Sequence, residues 1–455
     1  MNKAREQNST HTPQPVPEKA TRCGETRKWQ WGTLTLSLNS LLVWTEPMLA
    51  ALERGNDGRR WHTLNDKIWS PKNLRLALTT VTARKGAPGI DGQTTEAVEK
   101  HAEEELTLIQ RLLQEGRYEP RAVRRVMIDK PGSKEKRPLG IPTVRDRIVQ
   151  SAMLHILEPI FERDFSESSY GFRPGRKAGQ AVAVVEERLA EGNTWVVDAD
   201  IKGYFDSIPQ PALLERVRQK VADSKVLGLI EKFLQQGVME SGKGWEPTER
   251  GTPQGAVISP LLANIYLDDF DHQMEQQGQK MVRYADDFIL LCRSQAEAQE
   301  ALAQVRCWME KAGLRLHPEK TRIVNTGAGE GFEFLGWHFE RGHKWPRKKS
   351  QQKFKEAVRK RTKRSDGRTL QQIIIDVNRV VRGWGGYFQG GARSVSPKLD
   401  SWVRMRLRSI QRKRDKRKGR GHGRDHNRYP NAWLAAQGLI SLLQITHGAA
   451  TSPAK

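Results

Sequence analysis

Two adjacent carboxylates, Asp286 and Asp287, stand between two apolar runs in the segment 281–292, MVRYADDFILLC. An ionised carboxylate beside buried surface is costly unless it is paired or binds a metal. Residues 281–284 and 288–291 each have the composition of a short strand, which predicts a hairpin with a two-residue turn. Both faces of this hairpin are apolar, so its acidic tip suits Mg²⁺, a hard cation that takes oxygen ligands. The alternative is a turn that carries two aspartates without a function, and only the rest of the chain can decide between the two.

A third carboxylate comes from a predicted strand at 195–201, WVVDADI. Alternation puts Asp198 and Asp200 on one face, so the pattern alone does not choose between them. Asp200 is favoured because it ends the strand. The order of elements across 195–340 is a split β-α-β-type pattern, which can bring Asp200 beside the hairpin tip. Three acids there can hold two Mg²⁺ roughly 3.5–4 Å apart, the arrangement that serves phosphoryl displacement.

Such chemistry needs no protein nucleophile, and the sequence shows no competing Ser/His/Asp or Cys/His constellation. The other acids nearby are interpreted as structural. We expect Asp206 to cap a helix or to pair with a base. Asp268 and Asp269 fall within a predicted helix, and we expect them to form a solvated face.

Charge is distributed very unevenly along the 455 residues, a length sufficient for about three domains. Residues 1–340 contain 47 basic and 47 acidic side chains, whereas 341–455 contain 30 basic and 6 acidic ones. The last quarter therefore carries the whole net charge of +24, and it is interleaved with aromatic residues. This pattern predicts a neutral catalytic body followed by a module that binds nucleic acid. A merely solvated basic tail is the alternative.

The three cysteines form no CxxC pair, which argues against a disulfide scaffold and a zinc module and favours a cytoplasmic location. No apolar run approaches the ~20 residues of a membrane span, so we expect no membrane partner. Residues 1–30 have a disordered composition. The patterns predict helices at 71–82, 96–115, 145–165, 210–236 (two), from 259, at 295–312, at 351–418 (three) and at 431–445. They also predict a strand at 123–128, and a strand pair or a strand and a turn at 332–339.

A series of short motifs follows in order. They are GIDG (89–92), RPLGIP (137–142) with DR (146–147), YGFRP (170–174), DIKGYFD (200–206), GTPQG (251–255), SPLLAN (259–264), YADD (284–287), LHPEKT (316–321), FLG (334–336) and RGW (382–384) with Tyr387. Over about residues 60–440 the chain thereby resembles group II intron-encoded reverse transcriptases, also called maturases.

The resemblance implies an α+β, right-hand polymerase fold, in which fingers and an antiparallel palm sheet precede an α-helical thumb. The implied divisions are an irregular N-terminal region (1–59), an N-terminal extension (60–105), fingers and palm (106–345), a thumb or maturase domain (346–416) and a basic DNA-binding segment (417–455).

The resemblance also assigns residues to the reaction. Asp200, Asp286 and Asp287 would be catalytic and hold two Mg²⁺. Ile201 would be a further residue of this metal site. Phe205 would be the gate whose ring lies where a ribonucleotide 2′-OH would project, so that dNTPs are selected by a clash.

The incoming dNTP would also meet Gln254, and its triphosphate would meet Lys130 and Arg137. Lys136 stays an alternative to Arg137, because this loop is one residue longer than expected.

Nucleic acid would be held by the remaining elements. Leu335 and Gly336 would press on the primer end. RNA binding is assigned to Lys348, Lys349, Lys353, Arg359, Arg382 and Trp384. A nucleic-acid-binding tail is assigned to Arg412, Lys413, Arg414, Lys416 and Arg417.

The implied function is an RNA-directed DNA polymerase that binds its host intron RNA, assists splicing and copies the intron into cDNA during insertion into DNA. The expected partners are group II intron RNA, an RNA template with a DNA primer, target DNA and dNTPs, in a bacterial cytoplasm and at the nucleoid during insertion. Two alternatives stay open, a splicing-only maturase and a stand-alone, domesticated or retron-like reverse transcriptase.

Many relatives carry an HNH endonuclease with two cysteine pairs, but no cysteine follows Cys307 here. The tail RGHGRDHNRYPNAW resembles the bacterial class C subgroup, which lacks that domain and would use nascent strands at replication forks as primers. A metal or nuclease site at His422 and His426 is not favoured, because no partner ligands are in sight.

Overall fold

The structure is a computed structural model. It describes residues 29–31, 34–55, 60–129, 136–240, 244–391, 393–419, 421 and 423–448, with the backbone alone for 29–31 and 34–35. Residues 1–28, most of the segment predicted to be disordered, lie outside the described residues. Lys130 and His422 lie outside them as well.

The N-terminal part is mainly helical and is organised around one long buried helix. Its elements are β1 (Trp29–Trp31), β2 (Leu34–Leu36), α1 (Leu38–Val43), α2 (Glu46–Arg54), α3 (Asn65–Ile68), α4 (Pro71–Ala83), α5 (Thr95–Lys100), α6 (Ala102–Gln114), β3 (Val123–Asp129), β4 (Lys136–Ile141), α7 (Val144–Glu162) and α8 (Ala178–Ala190). Thr143 caps α7 by accepting a hydrogen bond from the Asp146 backbone N–H (3.1 Å). Helices α1, α3, α4 and α6 pack against α7. The apolar surface of α7 thus joins these four helices.

The central part contains the sheet that the hairpin was predicted to join. Its elements are β5 (Trp195–Asp200), α9 (Tyr204–Ser207), α10 (Gln210–Arg218), α11 (Ser224–Gln235), β6 (Val238–Glu240), β7 (Gly244–Glu246), α12 (Ser259–Gln276), β8 (Met281–Tyr284), β9 (Asp287–Cys292), α13 (Gln295–Lys311), β10 (Arg322–Asn325), β11 (Phe332–Phe334), β12 (Trp337–Glu340) and β13 (His343–Pro346). Strands β10, β5, β9 and β8 form an antiparallel sheet in that order. Two further sheets have the orders β4-β3-β6-β7 and β11-β12-β13.

Strand β9 is buried on both faces, as its sequence predicts. Phe288, Leu290 and Cys292 join the larger core, which includes residues of α12 and α13. Ile289 and Leu291 join a second core, which includes residues of α8 and β11. The central sheet is therefore covered on both sides, and its hairpin tip extends from a rigid base.

The C-terminal part is helical. It contains α14 (Lys348–Arg361), α15 (Leu370–Tyr387), α16 (Val395–Arg414), α17 (Asp425–Arg428), α18 (Asn431–Ala436) and α19 (Leu442–His447). The three helices predicted across 351–418 correspond to α14, α15 and α16. The single last helix predicted at 431–445 is wrong, because Gly438 at φ +90° separates α18 from α19. The helix predicted at 96–115 is also divided, at His101.

The chain is a mixed α+β structure with an antiparallel palm sheet and a helical C-terminal region. Among the described residues, none of the helices combines the length and the apolar character that crossing a membrane requires.

Candidate active site

The hairpin that carries the paired carboxylates has the predicted geometry. Tyr284 of β8 is paired with Asp287 of β9, so Ala285 and Asp286 form a two-residue turn. Ala285 has a φ of +62°, a left-handed conformation that matches the twist of two-residue hairpins but is unfavourable for alanine. The turn therefore needs support from its surroundings.

The end of β5 meets this hairpin. Asp200 lies directly opposite Asp287 in the antiparallel ladder, and Asp198 lies opposite Ile289, two positions further in. Directly opposed residues on antiparallel strands point to the same face. The register thus places Asp200, rather than Asp198, next to the hairpin tip, while metal binding by these side chains stays a prediction.

Negative charge at the tip is poorly compensated. Burial raises the pKa of Asp287 to about 7, and the carboxylates of Asp198, Asp200 and Asp286 add to the rise, with Arg347 opposing it. Burial also raises the pKa of Asp286, and repulsion from Asp200 contributes. A cation bound here would relieve this repulsion, because it favours the ionised form of each carboxylate.

Carboxylate oxygens are the type of ligand that a hard cation takes, but Asp200 is engaged by a side chain. Lys320 pairs with the Asp200 carboxylate, and Arg322 lies 3.3 Å from the carboxylate of Asp198. Across the described part of the chain, no group of three or more His, Cys, Asp or Glu side chains has an arrangement that could hold a metal ion. A metal at Asp200 would thus have to displace Lys320. The Ile201 side chain is buried and apolar, so only its backbone oxygen could serve as a ligand.

The predicted gate and the predicted nucleotide-contacting glutamine lie close together. The ring of Phe205, in α9, meets Phe172 edge-on with centroids 6.3 Å apart. The side-chain amide of Gln254 donates to the Asp206 carboxylate (2.9 Å), next in sequence to the gate. Burial raises the pKa of Asp206, while Arg125 and this hydrogen bond from a neutral amide oppose the rise, so the interactions of the Asp206 carboxylate are with a base and an amide. The Gly140 backbone N–H donates to the Gln254 carbonyl (2.7 Å), which joins β4 to the same region.

The candidate triphosphate ligands sit on the strand pair β3–β4. Lys136 and Arg137 are adjacent exposed residues at the start of β4, opposite Asp129 and Ile128. Neighbouring residues of a strand point to opposite faces, so only one of these two cations can face the site. The structure does not choose between them, and Lys130 lies outside the described residues.

The candidate primer contact is a tight turn between β11 and β12. Leu335 and Gly336 have φ of +49° and +85°. The Tyr387 hydroxyl donates to the Leu335 carbonyl (2.6 Å), while the Ser350 hydroxyl (2.9 Å) and the Arg347 N–H (3.0 Å) donate to the Gly336 carbonyl. Helices α14 and α15 thereby fix this turn to the C-terminal part.

The residues assigned to RNA binding divide into two kinds. Trp384 is half-buried, with ring centroids 5.1 Å from Phe354 and 4.4 Å from Phe388. Its ring therefore contributes to the packing of the C-terminal helices. The others are exposed cations on α14 and α15, namely Lys348, Lys349, Lys353, Arg359 and Arg382.

Two of the five tail cations hold the C-terminal part together. Arg412 and Arg417 lie 2.7 and 2.9 Å from the carboxylate of Asp425, which is fully buried. Arg417 also pairs with Asp415 at 2.8 Å. Counting charges along the sequence could not show that these arginines are already neutralised.

The other three tail cations differ among themselves. Arg414 donates to the backbone oxygen of Arg368. Lys413 and Lys416 are exposed, and no ion pair involves them within the described ranges. Together with Lys418 they line an open pocket of about 440 Å³. These lysines, rather than the acid-paired Arg412 and Arg417, are available to a polyanion.

Sequence reasoning missed or misjudged three charged residues on α12 and β8. The prediction of a solvated face holds for Asp269 but is wrong for Asp268, whose pKa burial raises to about 6 and which lies 3.5 Å from His272. Asp271 is fully buried and paired with Arg283, directly behind the hairpin turn. The presence of an arginine within an apolar strand is the sequence feature that could have indicated this buried ion pair.

Comparison with known proteins agrees with this geometry. Residues 128–339 match the family described as "Reverse transcriptase (RNA-dependent DNA polymerase)", and 351–429 match "Group II intron, maturase-specific domain". Protein YkfC of Escherichia coli K12 is 35% identical over 310 residues, covering 59% of this chain and 80% of YkfC. The group II intron-encoded protein LtrA of Lactococcus lactis is 36% identical over 250 residues, covering 54% of this chain and 41% of LtrA. An uncharacterized 91 kDa protein in the cob intron of Schizosaccharomyces pombe is 32% identical, covering 45% of this chain and 32% of that protein.

The chain belongs to the group II intron-encoded reverse transcriptases, which are RNA-directed DNA polymerases with a maturase domain. It spans four fifths of the length of YkfC but only about two fifths of LtrA.

Proposed function

We propose that this protein binds its host group II intron RNA, assists its splicing and copies it into cDNA during retrohoming. The observation that supports polymerisation most is the register of Asp200 against Asp287, with Asp286 in the adjoining turn. Three carboxylates at one edge of a buried sheet are difficult to explain as structure alone, because burial, together with repulsion from the neighbouring carboxylates, raises the pKa of Asp287 to about 7.

The cofactor in this proposal is a pair of Mg²⁺ ions held by Asp200, Asp286 and Asp287, with the Ile201 backbone beside them. When bound, such ions activate an attacking hydroxyl and stabilise the leaving oxygens in phosphoryl transfer. The carboxylates would fix the position of the ions, and Lys320, which pairs with Asp200, would have to move aside.

The chain's other residues would bind and orient the reactants. Phe205 would exclude a 2′-OH, and its edge-on contact with Phe172 limits how far the ring can turn. Gln254, held by Asp206, would contact the nucleotide, and Arg137 or Lys136 its triphosphate. The turn at 335–336 would meet the primer end.

Exposed cations of the C-terminal part would bind the intron RNA and, during insertion, target DNA. RNA duplexes are bound largely through phosphates and 2′-OH groups, and each neutralised phosphate adds salt-dependent affinity. The cations on α14 and the lysines of the tail have the exposure that this role needs. We infer a cytoplasmic location with access to the nucleoid, because two of the relatives are bacterial and the final substrate is DNA.

The double variant Asp286→Asn with Asp287→Asn tests the proposal. This variant should lose several kcal/mol of transition-state stabilisation because its metal ligands are removed. The rate of cDNA synthesis should therefore fall at least about a thousand-fold. Primer extension on an RNA template with Mg²⁺ measures this loss. Splicing of the intron RNA and its retention in a gel-shift assay should stay near the wild-type level.

Asp269→Asn, an exposed neighbouring acid on α12, is the matched control and should leave primer extension unchanged. Undiminished synthesis in the double variant would refute the catalytic assignment. A wild-type chain that promotes splicing but extends no primer would instead identify a splicing-only maturase.

A further inference from the structure

Behind the acidic turn lies a buried charged network that the polymerase chemistry does not use directly. Arg283, in β8, is 1% exposed, and Asp271, in α12, is fully buried. The Arg283 Nε donates to Asp271 Oδ1 (2.7 Å), and its Nη2 donates to the other carboxylate oxygen. The pair therefore fastens the strand that precedes the turn to the helix beneath it.

The same guanidinium also reaches the turn itself. Its Nη1 donates to the carbonyl oxygen of Ala285 (2.9 Å) and to the side-chain oxygen of Asn264 (3.1 Å). The Asn264 amide in turn donates to the Gly171 carbonyl (2.8 Å). Ala285 is the residue with the left-handed backbone, so the bond to its carbonyl supports the least favourable conformation in the hairpin.

A second segment, residues 168–171, also holds the turn. The Arg283 backbone N–H donates to the Ser168 carbonyl (2.8 Å), and its carbonyl accepts from the Tyr170 N–H (2.9 Å). A Cβ atom at position 171 would lie 2.3 Å from the Ala285 nitrogen, so only glycine fits there. The turn thus contacts both residues 168–171 and the guanidinium.

Stability alone does not account for this arrangement. Desolvating two charges offsets most of the attraction of a buried ion pair, and apolar side chains of similar volume often replace such a pair without loss. What a guanidinium adds is a rigid, planar set of donors that can bind α12 and the turn at the same time.

We propose that Arg283 is a positioning residue. It fixes the Ala285 carbonyl and thereby the orientation in which Asp286 and Asp287 present their carboxylates to a divalent cation, with Asp271 and Asn264 holding the guanidinium in place. The inference rests on the proposed function, in which these carboxylates bind metal. Residues that orient metal ligands typically change metal affinity by about 10–100-fold when they are replaced.

The test is Arg283→Lys, which keeps the positive charge but loses the planar fork. Mn²⁺ binding is measured by the loss of the free-ion electron paramagnetic resonance signal. The sample is the full chain bound to an RNA template and a chain-terminated DNA primer, without dNTP, so that no chemistry occurs. We expect the Mn²⁺ dissociation constant to rise at least about ten-fold. Asn264→Ser, which removes one support of the guanidinium, should raise it a few-fold.

The matched control is Arg408→Lys in α16. Arg408 is similarly buried and donates to the Tyr429 carbonyl (2.8 Å) and to the Asn431 side chain (2.7 Å), far along the chain from the carboxylates. The Arg408→Lys variant should have a lower melting temperature than the wild type and the same Mn²⁺ dissociation constant. This comparison separates positioning from a general loss of stability.

Unchanged Mn²⁺ affinity in folded Arg283→Lys overturns the inference. If that variant does not fold, unchanged affinity in Asn264→Ser overturns it instead. The Asp286→Asn, Asp287→Asn variant distinguishes failure of the positioning role from failure of the proposed metal site. If it binds Mn²⁺ as tightly as the wild type, the proposed metal site is wrong, and the positioning role fails with it.

Discussion

Replacing Asp287 by asparagine should stabilise the metal-free protein, although it removes a predicted catalytic group. The side chain keeps its shape and loses a charge that is buried beside three other carboxylates. Residues selected for function often reduce stability in this way. The expected gain depends on pH and on Mg²⁺.

The magnitude follows from the pKa of Asp287, which is about 7 in the folded chain against a reference value of 3.8. The folded state holds this proton more tightly than the unfolded state. Its contribution to stability is therefore complete below pH 3.8 and is lost as the pH rises to about 7. A shift of about 3 units corresponds to about 4 kcal/mol in total, and about 3 kcal/mol of this is lost between pH 5 and pH 8.

Urea unfolding in EDTA at pH 5 and pH 8 measures the effect. The free energy of unfolding of Asp287→Asn should exceed that of the wild type by about 3 kcal/mol more at pH 8 than at pH 5. Comparing the two proteins at each pH cancels the titration of all other groups. Asp129→Asn, at an exposed acid of β3, should show no such change.

Saturating Mg²⁺ at pH 8 should reduce the difference in free energy of unfolding between Asp287→Asn and the wild type. The cation stabilises the ionised site of the wild type and has fewer ligands to bind in the variant. A difference between the two proteins that does not change with pH would refute the argument that the carboxylates are uncompensated. A difference that does not respond to Mg²⁺ would refute the argument that a cation compensates them.

Three further predictions concern the gate and the tail. Phe205→Val should raise ribonucleotide incorporation relative to deoxyribonucleotide by about 10- to 100-fold in a primer-extension assay, because the clash with the 2′-OH is removed; unaltered selectivity would contradict the gate assignment. Replacing Lys413 and Lys416 by alanine should lower the slope of log affinity against log salt by about 1.4–1.8, one phosphate contact for each lysine. Arg412→Ala should instead lower the free energy of unfolding by about 1–3 kcal/mol, because Asp425 is buried and loses a charged partner. An unchanged slope in the double-lysine variant would show that these lysines only face solvent.

The hairpin could be predicted from the sequence because its information is local. Alternation in 281–292 defines the strands, the two-residue turn and the faces of Phe288 and Ile289, all of which are confirmed. The choice between Asp198 and Asp200 required the register of β5 against β9, which no periodicity contains.

Other features depend on contacts between distant segments. The partner of Arg283 lies on a helix, and its backbone bonds reach residues 168 and 170, more than a hundred positions earlier. The roles of the tail cations likewise depend on which of them meet Asp415 and Asp425 in space. Composition identifies a basic segment, but only the fold shows which charges are already paired.

The position of β5 in the central sheet has a consequence for synthesis of the chain. Both of its neighbours, β9 and β10, follow it in sequence, and β10 begins 122 residues after β5 ends (322 − 200). At about 5–20 residues per second, a ribosome needs roughly 6–25 s to add that length. Until β9 is complete, 92 residues after β5 ends (292 − 200), the apolar residues Val196 and Val197 have no strand partner on either side, and the edge that β10 covers stays unpaired for the rest of this time. Unpaired strand edges are templates for wrong pairing. Misfolding during translation should therefore begin at the central sheet, where the strand that carries Asp200 waits longest for its partners.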